Sequence, residues 1–143
     1  MSMAISSFMF IALLAVAFAQ ILWAFGNTWP IRDEKLLAQT VVGTAGIERM
    51  PPRRNSFAIG VFTFVSGVVA LSLADHDSGG SLLTVVGFAL GLVFLARGVA
   101  GYTAWWAVRT PEPNFRFNDR RVYSPLSLLL GAGFVALAIL RLL

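Results

Sequence analysis

There is no cysteine in these 143 residues and only one histidine. The first absence excludes disulfides, thiolate nucleophiles, haem attachment through Cys-x-x-Cys and cysteine zinc sites. The second leaves Asp75-His76-Asp77 as the nearest approach to a metal cluster. Three adjacent ligand types in a flexible turn, with no second imidazole, make a poor cage, so neither metal nor cofactor is expected. Charge is scarce as well: charged residues are 13% of the chain, with 7 acids against 11 Lys and Arg. Such a basic excess suggests nucleic acid in a soluble protein, but here it sits in loops that flank apolar runs, where anionic lipid is the expected partner and nucleic acid is not.

What is abundant is apolar side chain, 57% of the residues, gathered into long blocks at 5–25, 57–73, 82–102 and 125–140. A helix needs about 20 apolar residues, and at least ~17, to cross a hydrocarbon layer of ~30 Å. The first and third blocks suffice; the second and fourth need flanking residues, Asn55 and Ser56 or Arg141 to Leu143, to complete a crossing. The pattern predicts an all-α fold, a single-domain integral membrane four-helix bundle. Ala17-Phe18-Ala19 resembles the step before a signal-peptide cleavage site. Met1 to Ser7 nevertheless carries no Lys or Arg, and the apolar run continues through Trp23 and Phe25, so a retained helix is expected.

With four spans, the loops after the first and third helices share one side of the membrane. They hold Arg32, Lys35, Arg49, Arg53 and Arg54, then Arg109, Arg116, Arg120 and Arg121. The other side has only Arg141. The positive-inside rule then puts both long loops in the cytoplasm and both termini outside, in a bacterial inner membrane. Trp23, Trp29, Trp105, Trp106 and Tyr123 all mark the cytoplasmic interface. A catalytic triad finds no support, because His76 and Ser124 fall on opposite faces.

Gly87, Gly91 and Gly98, Gly60 and Gly67, and Gly131 and Gly133 offer close-approach surfaces, either for packing within the bundle or for a homo-oligomer. The segment 34–48 is too short to span and too apolar for a solvated linker. It is expected to lie in the interface or to fold back over the helix ends. Gly43 and Gly46 are not followed by Gly-Lys-Ser/Thr, so a phosphate loop is not indicated.

The residues 115–129, RFNDRRVYSPLSLLL, turn abruptly from basic to apolar. Ser124 followed by Pro125 predicts a helix start, the serine oxygen taking a first-turn N–H and the proline giving up no needed donor. Arg120 and Arg121, with Arg53 and Arg54 in the other loop, are candidate contacts for anionic headgroups. The element Asp119-Arg120-Arg121-Val122-Tyr123-Ser124-Pro125-Leu126 resembles the signature of a bacterial family of small membrane proteins called domain of unknown function 3995. Trp23-Ala24-Phe25-Gly26 and Arg97 with its following glycines fit the same family. The resemblance covers nearly the whole chain and implies four membrane helices and no stated activity. Two positions depart from that pattern. Gln20 stands where a histidine often precedes the first-helix tryptophan by three, and Gly101 or Tyr102 where an acid often follows the third-helix arginine; roles needing those ionisable groups do not carry over.

Arg97 interrupts an apolar block about eight residues before Trp105, roughly 12 Å along a helix axis. An arginine at the bilayer centre costs roughly 2.5–3.5 kcal/mol, which makes an intramembrane charge a site candidate. Three explanations stay open: it snorkels to the headgroups, it pairs with Asp119 or Glu48, or it binds a ligand. Gln20 is a candidate for helix–helix hydrogen bonding. Two functions follow. One is a non-enzymatic bundle binding anionic lipid and a protein partner. The other is an enzyme or carrier for an amphipathic molecule, a lipid headgroup or quinone, held near Arg97 by Gln20, Tyr102, Trp105 and Tyr123. No catalytic residue is assigned.

Overall fold

Small hydroxyl side chains are buried while many large apolar ones are exposed, an arrangement unlike that of a water-soluble domain. Ser6, Ser56, Thr63, Ser66 and Thr84 are buried, whereas Phe8, Ile11, Phe18, Phe62, Phe64, Leu82, Leu92 and Leu129 are exposed. Water would penalise that arrangement and hydrocarbon favours it. Four of these hydroxyls donate to carbonyls of their own helix: Ser6 to Met3 O at 3.1 Å, Thr63 to Ile59 O at 3.0 Å, Ser66 to Phe62 O at 2.8 Å and Thr84 to Gly80 O at 3.4 Å.

The computed structural model describes residues 2–143 apart from 30, 76 and 78, so His76 lies outside the described residues. Among those described there is no strand. The helices are α1 (Ser2–Ala24), α2 (Glu34–Val41), α3 (Arg53–Ala74), α4 (Gly80–Ala100), α5 (Ala104–Arg109), α6 (Pro113–Asn118) and α7 (Ser124–Leu142). A π turn, Asp119–Tyr123, joins α6 to α7. Four rods, α1, α3, α4 and the continuous Pro113–Leu142, are long and apolar enough to cross a membrane. The second and fourth apolar blocks are extended by their flanks, to Arg53–Ala74 and Pro113–Leu142, as their short length requires. No group of His, Asp and Glu among the described residues could hold a metal ion.

The rods pair as α1 with α3 and α4 with α7. A Cβ at Gly60 would meet Ile21 late in α1, while one at Gly67 would meet Phe10 earlier in it, so α1 and α3 run antiparallel. Gly98 faces Leu128 and Gly91 faces Val135, which makes α4 and α7 antiparallel too. The pairs meet in a core of Met9, Leu13, Ala70, Leu73, Phe94, Leu130, Phe134 and Leu137. Phe94 and Phe134 stack there with centroids 5.6 Å apart.

The short helices all gather at the end where α1 and α4 finish. Asp33 caps α2 by accepting from Lys35 N at 3.1 Å, and α2 lies on α6 with Leu37, Ala38 and Phe115 buried. Gly43, at φ +76°, brings the chain flat against the Phe115 ring, where no side chain fits. Segment 34–48 is thus partly helical and folded back over the helix ends. At the opposite end Arg141 clamps the 75–80 turn. Its Nε donates to Thr84 Oγ1 at 3.0 Å, Nη1 to Asp75 O at 2.7 Å and Nη2 to Gly80 O at 3.2 Å.

One expectation is corrected in part. The α7 helix does begin at Ser124 with Pro125 in its first turn, but it continues a π turn instead of starting from a loop, and no side-chain cap forms. Pro125 is accommodated instead by a change of register, Ser124 N donating to Asp119 O five residues back. In that register the N–H that Pro125 lacks would have gone to Arg120 O. That carbonyl accepts from the Tyr102 hydroxyl at 3.1 Å.

Gly131→Ala places a Cβ 2.8 Å from Leu95 N and 2.9 Å from Gly91 O, both backbone, whereas Gly133→Ala meets the Met9 Sδ at 2.6 Å, on a flexible side chain. Thermal unfolding in detergent is expected to show Gly131→Ala destabilised by about 1–3 kcal/mol and Gly133→Ala by clearly less.

Candidate functional site

A carboxylate buried at the mouth of the α4/α7 pair organises the polar end of the molecule. Asp119, first residue of the π turn, is 0% exposed. An isolated carboxylate in such surroundings is untenable, so its partners decide whether the turn can form. Arg97 Nη2, from the last turn of α4, donates to Asp119 Oδ1 at 2.8 Å. Ser124 Oγ donates to the same oxygen at 3.0 Å and accepts from Arg97 Nη1 at 3.4 Å. The Arg97 guanidinium also lies 4.8 Å over the Trp106 ring. Four elements, α4, α5, the π turn and the first residue of α7, therefore meet on one ion pair.

Local sequence explains how each group arrives. α4 ends at Ala100, and Gly101 follows because a side chain there would run into Ser124 and come within 2.9 Å of Asp119 Oδ2. Thr103 then restarts the helix, its Oγ1 accepting from Trp106 N at 3.2 Å, and this break turns Trp106 rather than Trp105 toward Arg97. The π turn adds one residue to the coil, which brings Asp119 and Ser124 together. Arg116 completes the cluster: Nη2 donates to Gly101 O at 3.3 Å, while Nη1 lies 3.9 Å from Asp119 Oδ2 without a hydrogen bond.

The remaining sequence-level candidates are spread around this cluster. Tyr123 is half-buried, packs against Phe115 with centroids 5.8 Å apart, and donates its hydroxyl to Thr40 O at 3.3 Å, tying the first loop to the second. Tyr102 is exposed and bonded to Arg120 O. Trp105 is exposed beside Arg109, 4.3 Å from ring centroid to guanidinium. Gln20 packs its stem against Gly60 in the other helix pair. Glu48 is exposed and forms no salt bridge among the described residues. A cleft lined by Arg141 at one end of the rods and one lined by Arg116, Arg120 and Arg121 at the other do not include Arg97, Gln20, Tyr102, Trp105 or Tyr123. Arg53, Arg54, Arg120 and Arg121 are all exposed.

Sequence reasoning missed Arg116, Trp106 and Gly101. The Arg116 spacing to Asp119, three residues on a helix, was the one available signal. Within the cluster Asp119 Oδ1 is shared by Arg97 and Ser124, while Asp119 Oδ2, Arg116 Nη1 and Trp106 Nε1 are buried without a hydrogen-bond partner.

A family model described as a protein of unknown function, DUF3995, matches residues 13–134. No curated protein and no solved structure matches the chain.

Removing one partner of a buried pair costs about 3–5 kcal/mol. Arg97→Met strands a wholly buried carboxylate, whereas Asp119→Asn leaves an arginine whose side chain is 30% exposed and free to reach water. Chemical unfolding in micelles is expected to rank Arg97→Met as the more damaging. Equal losses would mean the carboxylate is not buried in solution.

Proposed function

The chain belongs to the family of proteins of unknown function DUF3995, and from that premise we propose that it is a non-enzymatic, multi-pass protein of the bacterial inner membrane. It forms a four-helix bundle whose ordered basic cap holds anionic lipid and docks a protein partner or a second copy. The observation that carries this reading is the folding of both long loops into one cap on which Arg53, Arg54, Arg120 and Arg121 remain exposed. A cap with several solvated guanidinia beside the headgroups gains on the order of 1 kcal/mol per arginine from an anionic leaflet. The charge asymmetry orients the cap toward the cytoplasm and both termini outward.

The competing reading, an enzyme or carrier for a headgroup or quinone at Arg97, draws less support. That guanidinium already answers Asp119 and Ser124. Of the aromatic candidates, Tyr102 and Tyr123 spend their hydroxyls on Arg120 O and Thr40 O.

Two measurements test the proposal. Because the chain has no cysteine, single substitutions report topology directly. Asp77→Cys is expected to react with an impermeant maleimide in intact cells, and Ala45→Cys only after permeabilisation; the opposite pattern inverts the orientation. In mixed micelles containing equal anionic and zwitterionic phospholipid, the wild-type protein is expected to retain the anionic species preferentially. Changing Arg53, Arg54, Arg120 and Arg121 together to Gln should abolish that preference, and added salt should weaken it.

A further inference from the structure

The outer side of α6 and the π turn carries an open groove of about 450 Å³ lined by Arg116, Phe117, Arg120 and Arg121. We propose that this groove is a discrete, one-to-one site for the phosphate group of an anionic membrane lipid. The proposal rests on the reading that the basic cap meets lipid, and it sharpens a diffuse attraction into a defined position.

Charge balance is the first support. Arg116, Arg120 and Arg121 line one groove, and the one carboxylate next to it, Asp119, commits its Oδ1 to Arg97 at 2.8 Å. Arg116 stands 3.9 Å from Oδ2, and no other carboxylate lies within salt-bridge distance of Arg116, Arg120 or Arg121 among the described residues. Arg116 and Arg120 are four apart on one helical face, where like charges repel, and Arg121 adds a third. A bound anion removes that repulsion.

Geometry is the second. Arg116 forms the floor and is held from beneath by Gly101 O, so its charge is fixed in place before any ligand arrives. Arg121 lies over the Phe117 ring at 4.8 Å, which orients its guanidinium while leaving it exposed. Arg120 and Arg121 thus supply the reachable donors, in the forked form that suits phosphate oxygens. Phe117, itself exposed, offers apolar surface for the glycerol or acyl portion beside them.

Depth is the third. Arg120 and Arg121 precede Pro125 by four or five residues, which puts them roughly 6–8 Å outside the start of the apolar rod, at headgroup level. The cleft at the other end offers no such site, since its Arg141 donates to Thr84, Asp75 and Gly80.

The test is native mass spectrometry of delipidated full-length protein in mild detergent, titrated separately with phosphatidylglycerol, phosphatidylcholine and inorganic phosphate. The expected result is a single saturable phosphatidylglycerol adduct that Arg120→Gln or Arg121→Gln weakens by roughly tenfold or more, while Arg49→Gln, at an exposed arginine outside the groove, leaves it intact. Arg120 and Arg121 are the exposed arginines of the groove, so their loss spares the fold. Graded, unsaturable adducts reduced alike by Arg49→Gln and Arg121→Gln would overturn the site and leave the basic-cap reading standing. Absence of any anionic preference in the wild type would overturn both. Inorganic phosphate binding in place of lipid would overturn the lipid assignment.

Discussion

A carboxylate with no access to water must bring its own counter-charge, and Asp119 imposes that requirement on the whole polar end of this protein. Arg97 meets it from a neighbouring rod and thereby fixes how far α4 extends and where α7 begins to run beside it. Ser124 takes the remaining capacity of the same oxygen. Gly101 makes the approach possible by having nothing to place between them. The pair adds little net stability when weighed against apolar residues of the same volume. What it contributes is selection of one arrangement, because any other leaves a charge uncompensated in a poorly hydrated site.

The segment from Asp119 to Pro125 then has a mechanical explanation. Proline cannot supply its N–H and would collide with a carbonyl one turn earlier in a regular helix. A π turn ahead of it absorbs the misfit, and Tyr102 takes the carbonyl left without a partner. The same turn swings Tyr123 to where its hydroxyl reaches Thr40, so a local backbone adjustment fastens one loop to the other. Buried Phe115 lies on Gly43, completing the seam.

The two ends of the molecule use arginine in contrasting ways. Arg141 distributes its donors over carbonyls of the turn between α3 and α4 and the Thr84 hydroxyl, closing the turn. At the other end the arginines outnumber the acids, and the excess faces outward. Between them the rods turn hydroxyls such as Ser6, Thr63 and Ser66 inward and expose many large apolar side chains, Phe8, Phe18 and Phe64 among them, around a core that keeps Phe94 and Phe134. That pattern makes sense only if the surrounding medium is itself apolar, and it leaves close glycine packing to hold the rods together.

The membrane-compatible rods were legible in the sequence, because length and apolar content alone decide whether a helix can cross hydrocarbon. Arg97 was legible as an anomaly for the same reason. Its partner was not: Asp119, Glu48 and the headgroups were equivalent until the rods were paired, since 22 residues and two short helices separate Arg97 from Asp119. The Ser-Pro step suggested a helix start, because sequence alone does not say whether the preceding residues are already helical. Trp105 and Trp106 were indistinguishable for a related reason, the break at 101–103 having destroyed the periodicity that would have oriented them. Composition thus determined the medium and the rods, through transfer energies that each residue carries by itself. The ion pair, the π turn and the cap depend on which distant groups meet, and only tertiary packing decides that.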